Sequence, residues 1–159
     1  NMFSVNNVRT VSDTKRAFYT LHTRPINSIY RRVVEELMVE MHLLSVNVDF
    51  QYDPIYALGV VTTFERFMQG YRPEADKDAI FDALCQAVGY EAQQYRQDAK
   101  RLEELASHRS AESMIADLLQ SSSFGEGSDL QKYLHAIANN PKFKYSRLFA
   151  AGLYTLLET

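Results

Sequence analysis

Apolar positions recur at gaps of three and four through most of this chain, the period of helices that bury one face. Ser12-Asp13 predicts an N-cap and Lys15 to His22 a short first helix, which Thr23-Arg24-Pro25 breaks. A long helix follows from about Asn27 to Ser45, with Ile29, Tyr30, Val33, Leu37, Met41 and Leu44 on one face. Arg31, Arg32, Glu35 and Glu36 fall on the other side, and Arg32 and Glu36 can meet across one turn. Residues 46–52 alternate apolar and polar in strict order. No convincing partner run exists, and a lone strand is unstable. The segment therefore reads as an extended connector that pushes Val48 and Phe50 into helix grooves.

Asp53-Pro54 opens the next helix with a cap residue and then Pro at the first helical position. Leu58, Val61, Phe64, Glu65 and Met68 follow on one face, and Gly70 ends the run. Glu65 on that face predicts a buried carboxylate paired with Arg24 or Arg72. A helix from Asp76 or Lys77 to Val88 turns Ile80, Phe81, Leu84 and Val88 inward, with Gly89 as its C-cap. Glu91 to Ser107 makes a polar helix with a narrow stripe of Tyr95, Ala99, Leu102 and Leu105. Further helices are read at Ser110 to Gln120, at Leu130 to Ala138 and from Ser146 to the end, with a surface loop at Ser121 to Ser128. The reading is an all-α fold: one compact helical bundle of about seven to eight helices, a single domain over 1–159, with no paired β-sheet.

Composition narrows the function classes. The 159 residues are 46% hydrophobic and 23% charged, with Gly 6 and Pro 4, enough apolar material for a core and too few turn residues for a sandwich or barrel. Cys85 is the one cysteine, so neither an intrachain disulfide nor a cysteine-built zinc site can form. The net charge of -3 argues against bulk attraction to nucleic acid. The longest apolar run, Leu148 to Leu157, is about half of the roughly 20 residues a membrane span needs. No apolar leader segment is visible, Asn1 before Met2 reads as an expression scar, and the stop after an apolar helical run reads as a truncation.

Motifs for catalysis are weak. None of His22, His42, His108 and His135 has a Glu three residues before it, as a di-metal bundle would need. Glu104 and His108 are four apart but have no third ligand in view. Ser12-Asp13-Thr14-Lys15 has the Ser-x-x-Lys spacing without that class's companion motifs. Gly125-Glu126-Gly127-Ser128 lacks the next glycine of a phosphate loop, and Glu126 would repel phosphate. Cys85 reads as a small buried hydrophobe. Lys142-Phe143-Lys144-Tyr145-Ser146-Arg147 interleaves cations with aromatics, a pattern suited to lipid headgroups, nucleic acid or an acidic partner. The residues alone thus describe a binding or scaffold protein with no catalytic residues, cofactor or metal. Two other readings stay open. One is a metal- or cofactor-binding helical enzyme using Glu36, Glu40, Glu65 and His42; the other is a peripheral membrane-binding module.

Longer stretches carry a family signal. Residues 9–15 (RTVSDTK), 22–26 (HTRPI), 34–44 (VEELMVEMHLL), 52–59 (YDPIYALG), 64–73 (FERFMQGYRP) and 142–157 (KFKYSRLFAAGLYTLL) resemble the protein thylakoid formation 1 family. The likeness covers nearly the whole chain from Val8. It implies an all-helical, non-enzymatic accessory protein of photosystem II biogenesis and repair and of thylakoid formation. That protein associates with thylakoid FtsH protease complexes and sustains their accumulation. It further implies a cyanobacterial member at the cytoplasmic face of thylakoid membranes, with peripheral rather than integral attachment. The resemblance also implies photosystem II assembly and repair components as partners, not nucleic acid, and leads one to expect a further helical C-terminal segment beyond Thr159. The resemblance supplies no catalytic residues. Candidate partner contacts are Arg31, Arg32 and Glu35 on the long helix, and Lys142, Lys144 and Arg147 near the end.

Overall fold

A computed structural model describes residues 9–107 and 147–158, and these are helical with no strand among them. Six helices are described: α1 (Val11–Leu21), α2 (Ser28–Ser45), α3 (Pro54–Phe67), α4 (Ala75–Ala87), α5 (Ala92–Ser107) and α6 (Arg147–Glu158). The expected helices at Ser110 to Gln120 and Leu130 to Ala138, and the loop between them, lie outside the described residues.

Helix starts follow local hydrogen-bonding chemistry. At α1 the cap is Thr10, not Ser12-Asp13: Asp13 N–H donates to Thr10 Oγ1 and Thr10 N–H donates to Asp13 Oδ2, each at 3.0 Å. Asp13 is thus the third helical residue of a reciprocal capping box, which lengthens α1 by a turn over the expected start. Asn27 caps α2, its side chain accepting from Ile29 N–H at 3.0 Å. Asp53 serves α3 similarly, accepting from Tyr56 N–H at 2.8 Å. Gly89 stands at φ +95 just past α4, the left-handed stop expected of it.

The chain packs as two compact units. Among the described residues, one is formed by 9–50 and Phe64–Gln93, the other by Gln51–Thr63, 94–107 and Arg147–Glu158. In the first unit α1 packs against α2 and α4. Phe18, Val34, Leu37, Met38, Met41, Ile80, Phe81 and Leu84 are buried there, and the Phe64 and Phe81 rings lie 4.9 Å apart at a tilt. In the second unit, Ile55, Tyr56 and Leu58 of α3 are buried, as are Tyr95 and Leu102 of α5 and Leu148 and Leu156 of α6. Here α3 and α6 cross backbone to backbone at Gly59 and Gly152. A Cβ on Gly59 would run into the Leu148 carbonyl, and one on Gly152 into the Ile55 carbonyl.

Two expectations about buried faces need correction. The buried face of α2 is Val34, Leu37, Met38, Met41 and His42. Leu37 and Met41 are inward as read, but Ile29 is 75% exposed and Val33 and Leu44 are only half-buried. The connector does not bury Val48, which is 96% exposed. Asn47 folds the segment into a turn: its side chain accepts from Asp49 N–H at 2.9 Å and its carbonyl from Phe50 N–H at 3.0 Å. Alternation sorts residues onto two faces only in an extended backbone, so the turn removes the basis of that expectation.

Candidate functional site

Three of the charges read from the sequence as partner contacts, Arg31, Arg32 and Glu35, lie on α2. Lys15 and Tyr19 are four apart on α1 and so share a face; α2 brings Glu35 opposite them. The Tyr19 hydroxyl donates to Glu35 Oε2, and Lys15 Nζ lies 3.4 Å from Glu35 Oε1. The Tyr19 hydrogen bond holds the Glu35 carboxyl below its usual range, with Lys15 and Arg31 adding to the effect. Burial, then the hydrogen bond to Glu35, pushes the Tyr19 hydroxyl up to about 12. Glu35 is therefore engaged within its own chain. Tyr19 and Lys15 were missed in the sequence because only packing of two helices reveals the face they share with Glu35.

Arg31 and Arg32 are exposed. Arg32 Nε makes the expected contact one turn along α2, 3.3 Å from Glu36 Oε1. Arg147 is the first residue of α6, while Lys142 and Lys144 lie outside the described residues. The structure thus brings Arg31 and Glu35 into one network with Lys15 and Tyr19, and leaves Arg32 beside it on α2.

Glu65 is exposed, not buried. Phe64 of α3 and Met68, just past its end, are buried, and Glu65, one residue further round, leaves that line. Its two expected partners are engaged elsewhere. Arg24 Nε lies 2.9 Å from Asp76 Oδ2, and Arg72 pairs with Glu74 at 3.7 Å. Asp76, in the first turn of α4, is a buried carboxylate.

Of the residues of the metalloprotein reading, Glu36, Glu40 and His42 lie on α2 at three different depths, exposed, half-buried and buried. Glu36 is held by Arg32, and Glu65 is on the surface. His42 is buried, with Nδ1 hydrogen-bonded to Thr14 Oγ1 at 2.8 Å. Among the described residues no three His, Cys, Asp or Glu side chains are grouped as a metal ion would require. Cys85 is buried. In the second unit, the Tyr52 hydroxyl donates to Asp98 Oδ2 at 2.7 Å, and the Tyr52 ring meets Tyr95 edge-on at 5.3 Å. Burial pushes the neighbouring Asp53 carboxyl up to about 6, against the pull of the Tyr56 and Ile55 N–H groups. Tyr52, Asp53 and Asp98 are half-buried. Among the described residues no helix is long and apolar enough to cross a membrane.

The family model described as "Thylakoid formation protein" matches residues 10–159. The chain belongs to the thylakoid formation protein family. Protein Thf1 of Trichormus variabilis is 69% identical over 151 residues, covering 95% of this chain and 65% of that protein. Protein Thf1 of Nostoc punctiforme is 66% identical over 154 residues, covering 97% and 66%. A solved structure of Psb29 superposes with a TM-score of 0.78 at 50% identity, covering 94% of this chain and 75% of that one. The resemblance read from the motifs is therefore correct, as is the all-α fold, and the family ties the chain to thylakoid biology. The chain spans about 65% of the length of the first of these relatives.

Proposed function

We propose that this chain is the helical body of a non-enzymatic accessory protein. It serves photosystem II biogenesis and repair and thylakoid formation by binding thylakoid FtsH protease complexes at the cytoplasmic face of the membrane. Membership of the thylakoid formation protein family over residues 10–159 carries the reading. Its physical logic is linkage: a protein that binds only the assembled protease stabilises that assembly by mass action, about 2.7 kcal/mol when it is present at 100 times its dissociation constant. A body whose charged groups are fixed by internal pairs, as Glu35 and Asp76 are, suits this role because little ordering is needed on binding. Arg31 and Arg32, exposed on α2, are the described contacts offered to the partner.

The test is affinity isolation of the full-length protein from detergent-solubilised cyanobacterial thylakoids, beside an Arg31→Glu version. Enrichment of FtsH over a tag-only control, reduced at least about threefold by the charge reversal, is the expected result. Recovery of FtsH no better than the control would overturn the association. Equal recovery with both versions would remove Arg31 from the contact.

A further inference from the structure

Three tyrosines of the second unit close into a triangle. The Tyr52 ring meets Tyr95 edge-on at 5.3 Å and Tyr56 edge-on at 6.1 Å, and Tyr56 lies 6.1 Å from Tyr95. Each distance is that of direct aromatic contact. Tyr56 and Tyr95 are 2% and 0% exposed, whereas Tyr52 is half-buried. Tyr95 and Asp98 are three apart on α5 and so share a face. That spacing sets a carboxylate beside the triangle: the Tyr52 hydroxyl donates to Asp98 Oδ2 at 2.7 Å.

This arrangement combines two ingredients that other tyrosines of the chain hold singly. A phenol that loses an electron becomes a strong acid, so the electron leaves readily only where a base within hydrogen-bond reach takes the proton. Tyr30 and Tyr71 are paired edge-on at 5.0 Å, but the Tyr30 hydroxyl donates to the Gln69 carbonyl, at 3.0 Å, which is no base. Tyr19 donates to a carboxylate, Glu35, but Lys15 lies 3.4 Å from that carboxylate and opposes its neutralisation. The ring nearest Tyr19 is moreover Phe18, at 5.0 Å, and a phenyl ring does not exchange electrons under such mild conditions. Tyr52 alone of these three has a carboxylate for its proton and tyrosine rings for neighbours. The chain has no tryptophan to compete as an electron donor, and Cys85 is buried.

We propose that Tyr52 is a one-electron trap, at which a small radical oxidant such as a peroxyl radical is reduced. The Tyr52 phenol gives one electron to the oxidant, which leaves as its anion, and its proton passes to Asp98 Oδ2. The products are a neutral tyrosyl radical and a protonated Asp98. A radical first formed on Tyr56 or Tyr95 is repaired by an electron from Tyr52, because Tyr52 is the member of the triangle whose proton goes to a carboxylate. A soluble reductant such as ascorbate then returns an electron to Tyr52 and Asp98 returns the proton, while the oxidised ascorbate sheds its own proton to water. Asp98 is a positioning and proton-accepting residue in this scheme. The inference goes beyond the proposed protease association and does not depend on it.

The test treats the full chain with azide radicals made by pulse radiolysis, at less than one radical per chain. A nitroso spin trap fixes the tyrosyl radical, and peptide mass spectrometry locates it. The expected result places Tyr52 ahead of Tyr154 and Tyr19, although these are 59% and 37% exposed and meet the oxidant more easily. Asp98→Asn should lower the share at Tyr52 about tenfold, the effect of losing one hydrogen bond to a charged group. Asp98→Glu, which restores a carboxylate, should recover most of that share. Glu35→Gln should leave it unchanged. Unchanged circular dichroism establishes that each variant folds. Adducts that follow exposure, with Tyr154 and Tyr19 ahead of Tyr52, or a Tyr52 share indifferent to Asp98→Asn, would each overturn the proposal.

Discussion

Asp53 shows how one side chain serves the fold at a cost. Its carboxyl accepts from Tyr56 N–H at 2.8 Å and so caps α3, yet burial lifts its pKa to about 6 from an ordinary 3.8. In the unfolded chain the carboxyl ionises near pH 4. Between that point and pH 6 the folded chain holds the proton more tightly, so stability falls as pH rises through this window and is level above it. Asn in this position keeps the accepting oxygen and carries no charge. Asp53→Asn should therefore stabilise the chain at pH 8 by about 1–2 kcal/mol, somewhat less than the full displacement implies because the carboxyl is only partly shielded. The gain should vanish at pH 4. Urea denaturation at the two pH values checks it; an equal effect at both would show that the burial is not what matters.

Residues also show where the sequence was silent. His42 faces inward on α2 because Thr14 of α1 hydrogen-bonds its Nδ1, a partner 28 residues away that no local pattern announces. Glu65 looked buried by spacing alone, and it was Asp76 that met Arg24. The silence on His42 and the error on Glu65 have one origin: a polar side chain is buried where a partner is found, and partners across helices are a tertiary property.

At the scale of elements, much was legible. The Asp53-Pro54 start of α3, the Gly89 stop after α4, and the Tyr95, Ala99 and Leu102 stripe of α5 appear where read, because each rests on backbone chemistry or on a narrow apolar face. The buried side of α2 was read only in part. That helix is apolar over so much of its circumference that two stripes share Leu37 and Met41, and helical periodicity fits both. The neighbours chose the stripe that contains Val34 and Met38.

The α3–α6 crossing was not foreseen, since Gly59 and Gly152 lie 93 residues apart in the chain. It gives a test with an unusual sign. In an exposed helix, Gly to Ala stabilises by about 1 kcal/mol. Here a Cβ on Gly152 meets the Ile55 carbonyl, a backbone atom that cannot rotate away. Gly152→Ala should instead destabilise by about 1–3 kcal/mol, lowering the urea midpoint with α-helical content otherwise kept. A raised midpoint would show that the two backbones do not touch.

For the molecule as a whole, the family was legible in long motifs such as residues 52–59 and 64–73, and the match over residues 10–159 agrees with them. Those motifs hold structure: Asp53, Pro54, Tyr56 and Gly59 cap, start and pack α3. The partner surface was less legible, because an exposed charge used for binding has the same sequence pattern as one that only faces water. Of the charges read as contacts, Glu35 proved to be held by Tyr19 and Lys15, which leaves Arg31 and Arg32 as the exposed pair on α2.

The proposed role is to bind and stabilise an assembly rather than to transform a substrate. The most direct measurement is the decay of assembled FtsH complexes in cyanobacterial cells after protein synthesis is blocked, with and without the full-length protein. Binding to the assembled state predicts decay at least about threefold faster without the protein, with FtsH synthesis before the block unchanged. Equal decay rates in the two strains would contradict it.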